Sequence, residues 1–139
     1  MLISISTRKS VKRERISRMT ESFSKSLGLE PFEGAIRILT TSAIKIDGLA
    51  ATSFLPEHNV VVIVVDSKIR DPHIMGLALA HEFVHAKQFL DGRLQEVDGK
   101  HVWLGEETGH YSYDEQPWEI EAYDKMFSLV ETFYKEMVL

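Results

Sequence analysis

The segment between Asp71 and Gly92 constrains the fold of this chain more than any other. Asp71 and Pro72 predict a helix start, because Asp caps free backbone N–H groups and Pro suits the first helical turn. Asp91 and Gly92 predict its end. Apolar side chains occupy two opposite faces of this helix: Ile74, Leu77 and Ala78 on one, and Leu79, Phe83, Ala86 and Leu90 on the other. Such a helix must be covered on both faces, so other elements have to pack on either side of it.

Patterns on both sides of this segment supply the covering elements. Apolar residues recur at helical spacing over residues 7–27, and Pro117 predicts the start of a last helix that runs almost to the C-terminus. The strongest strand is residues 60–65, five valines and an isoleucine. Shorter extended stretches are predicted at residues 2–5, 35–40, 44–46 and 49–55, with a short hairpin at 97–104.

A single domain over residues 1–139 follows from the length and the 44% of hydrophobic residues. The element order predicts an α+β fold. It consists of an N-terminal helix, a small and mostly antiparallel sheet, the doubly apolar helix and the C-terminal helix.

The composition excludes several classes of protein. The chain has no cysteine, which excludes disulfide scaffolds, thiol nucleophiles, cysteine-ligated zinc fingers and iron–sulfur sites. A bound metal would therefore need His, Asp or Glu. No apolar run approaches the roughly 18 residues that span a bilayer, and the basic N-terminal residues follow the apolar ones, the reverse of a signal peptide. We therefore expect a cytoplasmic protein without a membrane partner.

Charge is distributed unevenly along the chain, whose net charge is −5. Residues 8–25 carry seven basic and two acidic residues, whereas residues 106–136 carry nine acidic ones. A basic first helix could bind nucleic acid, but no aromatic residues alternate with its basic ones, and the acidic region opposes such binding. A solvated helix face is the simpler interpretation. The helix stays a candidate surface for an acidic partner, and a nucleic-acid partner is not expected.

The sequence HEFVH lies within the doubly apolar helix. His81 and His85 are four residues apart and share one face, so both imidazoles can reach one metal ion. Glu82 is rotated from His81 by about 100°, which places it beside such a metal as a general base rather than as a ligand. The alternative, a pair of surface histidines, predicts polar surroundings, whereas the flanking residues are apolar. Buried histidines need a metal or a satisfied polar network, and we favour the metal.

A third ligand is needed, because catalytic zinc usually takes three protein ligands. The candidates are His101, His110, Asp114, Glu115, Glu119 and Glu121. On the last helix, Glu119 falls in the middle of the apolar side, whereas Glu121 falls nearly opposite it, among charged residues. A carboxylate aimed into the core needs a partner, so Glu119 is the predicted ligand, although a first-turn acid at a helix N-terminus is an alternative. Glu121 is expected to face solvent.

HEFVH followed by a helix with Glu-x-x-Ala resembles the gluzincin branch of the zincin metallopeptidases, the thermolysin-type clan. The segment PWEIEAY of residues 117–123 is similar to the PWExEA stretch of small phage and bacterial metallopeptidase-like proteins. The resemblance covers roughly residues 60–125 and implies a minimal zincin-like fold. It implies one zinc per chain on His81, His85 and Glu119, with Glu82 as general base. Many gluzincins have Asp where this chain has Tyr123, so support for the first histidine differs here or comes from Asp124 or elsewhere.

The resemblance also implies that the strand before the metal helix, residues 60–65, is an edge strand to which a peptide substrate adds. The alternative is an ordinary buried strand, because these residues are apolar on both faces and are expected to be largely covered. The predicted activity is zinc-dependent hydrolysis of a peptide or protein substrate. Tyr111, Tyr113, His110 and His101 are candidate donors to the oxyanion. We favour Tyr113, because it lies four residues before Pro117 and so close to Glu119. A metal-stabilised binding or regulatory module without activity, and an amidase acting on cell-wall peptide, are the alternatives.

Overall fold

A computed structural model describes residues 1–7, 10–42 and 48–138 of the chain. The helices are α1 (Ser10–Leu27), α2 (Pro72–Leu90) and α3 (Pro117–Val138). The strands are β1 (Leu2–Ser6), β2 (Ala35–Thr41), β3 (Ala50–Leu55), β4 (Val60–Asp66), β5 (Leu94–Val97), β6 (Lys100–Trp103) and β7 (Glu106–Glu107). A 3-10 turn, Tyr113–Glu115, precedes α3. The predicted α+β class is confirmed. The extended stretch predicted at residues 44–46 and the basic residues Arg8 and Lys9 lie outside the described residues.

The main sheet has the strand order β1-β2-β4-β3. β1 pairs with β2 and β2 with β4 in parallel, and only β3 runs antiparallel to its neighbour. The prediction of a mostly antiparallel sheet is therefore wrong for this sheet. One reason is that α1 connects β1 to β2 as a crossover, which returns the chain in the same direction. The other is that β4 lies between β2 and β3, antiparallel to β3 and therefore parallel to β2.

The strand of residues 60–65 was predicted at the sheet edge, and this prediction is also wrong. β4 lies between β2 and β3, and the two edge strands are β1 and β3. The position of β4 explains its apolar sequence, because Val61, Ile63 and Val65 are fully buried on one face and the intervening valines are half-buried on the other. The neighbour of β4 at this end of the sheet, β3, has the more polar sequence, which is consistent with an exposed edge.

The three helices and the main sheet share one hydrophobic core. Phe23 of α1 contacts both other helices, with its ring 5.9 Å from that of Phe83 and 6.3 Å from that of Phe133. On the predicted second apolar face of α2, Leu79, Phe83 and Ala86 are fully buried, and Leu90 at its end is half-buried. The opposite face is only partly covered, because Ile74 is 44% exposed and Leu77 half-buried.

A second, antiparallel sheet of β5, β6 and β7 connects α2 to α3. It includes the hairpin predicted around residues 97–104. Its tight turn, Asp98 and Gly99, has positive φ at both positions, 52° and 76°, which is the Asp-Gly turn that matches the twist of paired strands. Trp103 of β6 packs against Trp118 of α3, with ring centroids 6.1 Å apart. The connection is thereby anchored beside the first turn of α3.

No helix among the described residues has the length and apolar character required to span a membrane.

Candidate metal centre

His81 and His85 lie one turn apart on α2, and their Nε2 atoms are 3.2 Å apart. The helix is fixed at its start by Asp71, whose Oδ1 accepts hydrogen bonds from the backbone N–H groups of His73 (2.8 Å) and Ile74 (3.3 Å). Buried packing on the Phe83 face sets the rotation of α2. The opposite side of the helix then presents both imidazoles to α3.

Glu119, in the first turn of α3, meets the two histidines and is only 8% exposed. Its Oε1 lies 3.3 Å from His81 Nε2 and 2.5 Å from His85 Nε2. The ligand atoms of the three residues all lie within 4.8 Å of one another. The structure therefore brings together the three residues that the sequence predicts as ligands, close enough to bind one metal ion.

Two of the three distances between the donor atoms agree with those of a tetrahedral site. Ligands bound to zinc at about 2.1 Å are separated from one another by about 3.4 Å in tetrahedral geometry. Two of the three donor separations, 3.2 and 3.3 Å, are near this value. The third, between His85 and Glu119, is the length of a direct ion pair.

The other candidate third ligands have different contacts. His101 packs on Trp118, with ring centroids 5.2 Å apart, and pairs with Glu96. Glu115 accepts a hydrogen bond from the Ser112 hydroxyl at 2.6 Å. Within the part of the chain that the structure describes, the set of His81, His85 and Glu119 is the only one that could hold a metal ion.

The charge state of Glu119 suits a ligand. Burial alone would raise the pKa of Glu119, but hydrogen bonds with His81 and His85 outweigh it and hold the pKa well below its usual value. Burial alone would lower the pKa of His85, but the nearby Glu119 carboxylate outweighs burial, and the pKa of His85 lies above its usual value. The carboxylate is therefore ionised, as metal binding requires.

Glu82 lies outside this cluster and next to the edge strand. It is 7% exposed, and its Oε1 accepts a hydrogen bond from Thr52 Oγ1 of β3 at 2.8 Å. Burial raises the pKa of Glu82, although the neighbouring His85 and His81 act in the opposite direction. Thr52 was not predicted as a site residue. Its role depends on β3 passing over α2, which no local pattern indicates.

Tyr113 reaches the centre, as predicted, through the 3-10 turn before α3. Its hydroxyl donates a hydrogen bond to Glu119 Oε2 at 2.9 Å and lies 3.4 Å from the Tyr123 hydroxyl. The Tyr123 ring contacts His81, with centroids 4.5 Å apart. An aromatic ring therefore covers the first histidine where the resembled family has a carboxylate. His110 packs on Tyr111 instead, at 4.1 Å between ring centroids.

The prediction that Glu121 faces solvent is wrong. Its Oε2 accepts a hydrogen bond from Arg93 Nη1 at 2.8 Å, and its Oε1 accepts one from Gln88 Nε2 at 2.9 Å. Gln88 Oε1 lies 2.8 Å from His85 Nδ1. The helical wheel describes one helix only, and these partners come from α2 and from the turn that follows it. Sequence reasoning missed Gln88 and Arg93 for the same reason.

No protein-family model matches this chain, and searches of curated proteins and of solved structures find no significant match.

Proposed function

We propose that this chain is a zinc-dependent peptidase, in which His81, His85 and Glu119 hold the metal and Glu82 is the general base. The observation that carries the proposal is that two neighbouring carboxylates, Glu119 and Glu82, have different contacts. Glu119 joins the histidines, whereas Glu82 stands beside them and is oriented by Thr52. A site that only stabilises the fold has no use for a buried carboxylate in that position.

Zinc is the metal that this donor set suits best. Two imidazoles and one carboxylate form the three-ligand set of catalytic zinc sites, which leave one coordination position open. Zinc in such a site lowers the pKa of water to about 7 and polarises a carbonyl group.

Glu82 supplies proton transfer in this proposal. Burial raises its pKa, and a base whose pKa lies nearer the working pH can both accept and return a proton. Glu82 accepts the proton of the attacking water and later donates it to the leaving amine. The hydrogen bond from Thr52 holds one carboxylate oxygen, Oε1, so the carboxylate keeps one orientation.

Tyr113 is the proposed donor to the oxyanion. Its side chain is 56% exposed, so a substrate can reach it, and its hydroxyl already lies beside Glu119. Hydrogen-bond donors placed where negative charge develops make the largest single contribution to transition-state stabilisation in many hydrolases.

The edge strand β3 is the proposed support for the substrate. Its pairing with β4 occupies one side, and no strand among the described residues pairs with the other. A peptide can add there through main-chain hydrogen bonds. Because Thr52, within β3, contacts Glu82, a peptide on this edge would run past the general base.

Cleavage of a peptide library by the zinc-loaded protein tests this function. Wild-type protein should cleave at least some peptides, and Glu82→Gln should retain zinc and cleave them about 10²–10⁴-fold more slowly. Including cell-wall peptides in the library distinguishes an amidase from a peptidase. A zinc-bound wild type that hydrolyses no substrate, or a Glu82→Gln protein that cleaves as fast as wild type, would overturn the proposal. The former result would favour a non-catalytic binding module.

A further inference from the structure

We propose that Gln88, Glu121 and Arg93 form a positioning chain that fixes the tautomer and orientation of His85. This inference rests on the proposed metal site. Gln88 and Glu121 connect α2 to α3, the two helices that carry the ligands, and Arg93 extends the connection into the turn after α2.

The orientation of the Gln88 amide follows from its partners. Its Nε2 donates to the Trp118 carbonyl oxygen at 2.9 Å and to Glu121 Oε1 at 2.9 Å. A carbonyl and a carboxylate can only accept, so only the NH₂ end of the amide can face them. The side chain is fully buried, and flipping the amide would place its oxygen against two other acceptors, which is costly without water.

The fixed amide in turn fixes His85. With both amide protons used, Gln88 presents its Oε1 to His85 Nδ1 at 2.8 Å. An acceptor at that position requires a proton on Nδ1, which leaves the Nε2 lone pair of the neutral imidazole free for a metal. Nε2 is the atom that faces His81 and Glu119. A hydrogen bond behind the imidazole also makes it a stronger ligand.

Arg93 holds the outer end of the chain. Its Nη1 donates to Glu121 Oε2 and its Nε donates to Asp91 Oδ2, both at 2.8 Å. Both oxygens of the Glu121 carboxylate are therefore held, Oε2 by Arg93 and Oε1 by Gln88.

Zinc affinity of three variants tests the chain. Gln88→Met keeps a similar shape but removes the amide, and we expect zinc dissociation constants about 10- to 100-fold higher. Glu121 lies one hydrogen bond further from the metal, so Glu121→Ala should raise the zinc dissociation constant less, by about threefold to tenfold. Glu131→Ala is the matched control, because it removes an exposed glutamate of α3 that pairs with Lys135 at 3.0 Å. It should leave the affinity unchanged.

The double variant Gln88→Met/Glu121→Ala distinguishes two cases. Glu121 either acts on His85 through Gln88, or the two residues affect zinc binding independently. If Glu121 acts through Gln88, the double variant should bind zinc within about twofold of Gln88→Met alone. If the double variant instead loses zinc affinity by the product of the two single losses, Glu121 does not act through Gln88 and the proposed chain is overturned. Because Gln88→Met could lower stability, thermal unfolding of each metal-free variant is measured alongside. Glu121→Ala, a change at a half-buried position, tests the same chain if Gln88→Met does not fold.

Nitrogen NMR of labelled histidine gives a readout that a purely structural role would not change. In zinc-loaded wild type, His85 should carry its proton on Nδ1, with that proton slow to exchange. The slow exchange should be lost in Gln88→Met and retained in Glu131→Ala. A wild-type His85 protonated on Nε2 would overturn the proposal, as would a Gln88→Met protein with wild-type zinc affinity. A wild type that binds no zinc would instead overturn the metal site itself, and this inference with it.

Discussion

His81, Glu82 and His85 have different neighbours, because a helix turns by about 100° per residue. The histidines face α3, where Glu119 completes the donor set, and Glu82 faces the edge strand, where Thr52 binds it. The five residues of HEFVH thus direct two imidazoles towards Glu119 and one carboxylate towards Thr52. The predicted roles differ in how each residue should respond to substitution.

Replacing Glu82 by Gln should remove activity without removing the metal. The amide keeps the size of the side chain and can still accept a hydrogen bond from Thr52, but it cannot accept a proton from water. Hydrolysis should fall by about 10²–10⁴-fold, the usual contribution of a general base. Steady-state kinetics and metal analysis on the same sample measure both properties. Loss of zinc together with activity would instead indicate that Glu82 is a ligand.

Replacing each of three glutamates of α3 by alanine should weaken zinc binding to three different extents. Glu119→Ala removes a ligand, so its loss should exceed the 10- to 100-fold typical of residues behind a ligand. Glu121→Ala should follow with a smaller loss, and Glu131→Ala should cause none. Calorimetric dissociation constants of the three variants measure the order. A larger loss in Glu121→Ala than in Glu119→Ala would overturn the ligand assignment.

Local signals in the sequence predicted the elements of this fold well. The cap at Asp71, the prolines at 72 and 117 and the valine-rich β4 each mark an element that the structure contains. The sheet order was not predictable in this way. The apolar sequence of β4 fits a central strand, but which strands pair in parallel depends on contacts across long stretches of chain, and strand patterns do not encode that pairing.

The start of α2 should depend on its capping residue. Asp71→Ala leaves two backbone N–H groups without their acceptor and should lower the free energy of unfolding by about 1 kcal/mol. Asp71→Asn can still cap and should change stability little. Denaturant unfolding of the metal-free protein measures both. Equal stability of Asp71→Ala and wild type would contradict a helix that begins at this cap.

The contact between β3 and α2 should affect catalysis rather than metal binding. Thr52→Val keeps the branched shape and removes the hydroxyl that donates to Glu82 Oε1. A hydrogen bond is worth about 1 kcal/mol, so the turnover rate should fall by about fivefold while the zinc dissociation constant stays unchanged. An unchanged rate would show that Thr52 does not orient the base.

At the scale of the whole molecule, the site depends on contacts between elements far apart in sequence. Local sequence analysis predicted the three residues, His81 and His85 from the HEFVH motif, and Glu119 from the apolar side of the last helix and the family resemblance. It could not predict Thr52, Gln88 or Arg93, because their partners lie on other elements. The helical wheel wrongly predicted that Glu121 faces solvent, because a wheel of one helix does not show Arg93, which contacts Glu121 from the turn after α2.

Zinc should stabilise the entire fold, because its ligands join α2 to α3. A ligand that binds only the folded state adds about 2.7 kcal/mol when its free concentration is 100 times its dissociation constant. The melting temperature should therefore rise with added zinc and fall again with a chelator. A melting temperature that is independent of zinc would contradict binding between the two helices. His85→Ala, which removes a ligand, should make it independent of zinc.

Calorimetric titration of the metal-free protein with zinc tests the central claim most directly. We predict about one zinc per chain, as a three-ligand site implies, with binding strongly weakened in His81→Ala, His85→Ala and Glu119→Ala and unchanged in Glu131→Ala. No heat of binding in the wild type, or the same affinity in the three ligand variants, would contradict the assignment of this site as a zinc centre.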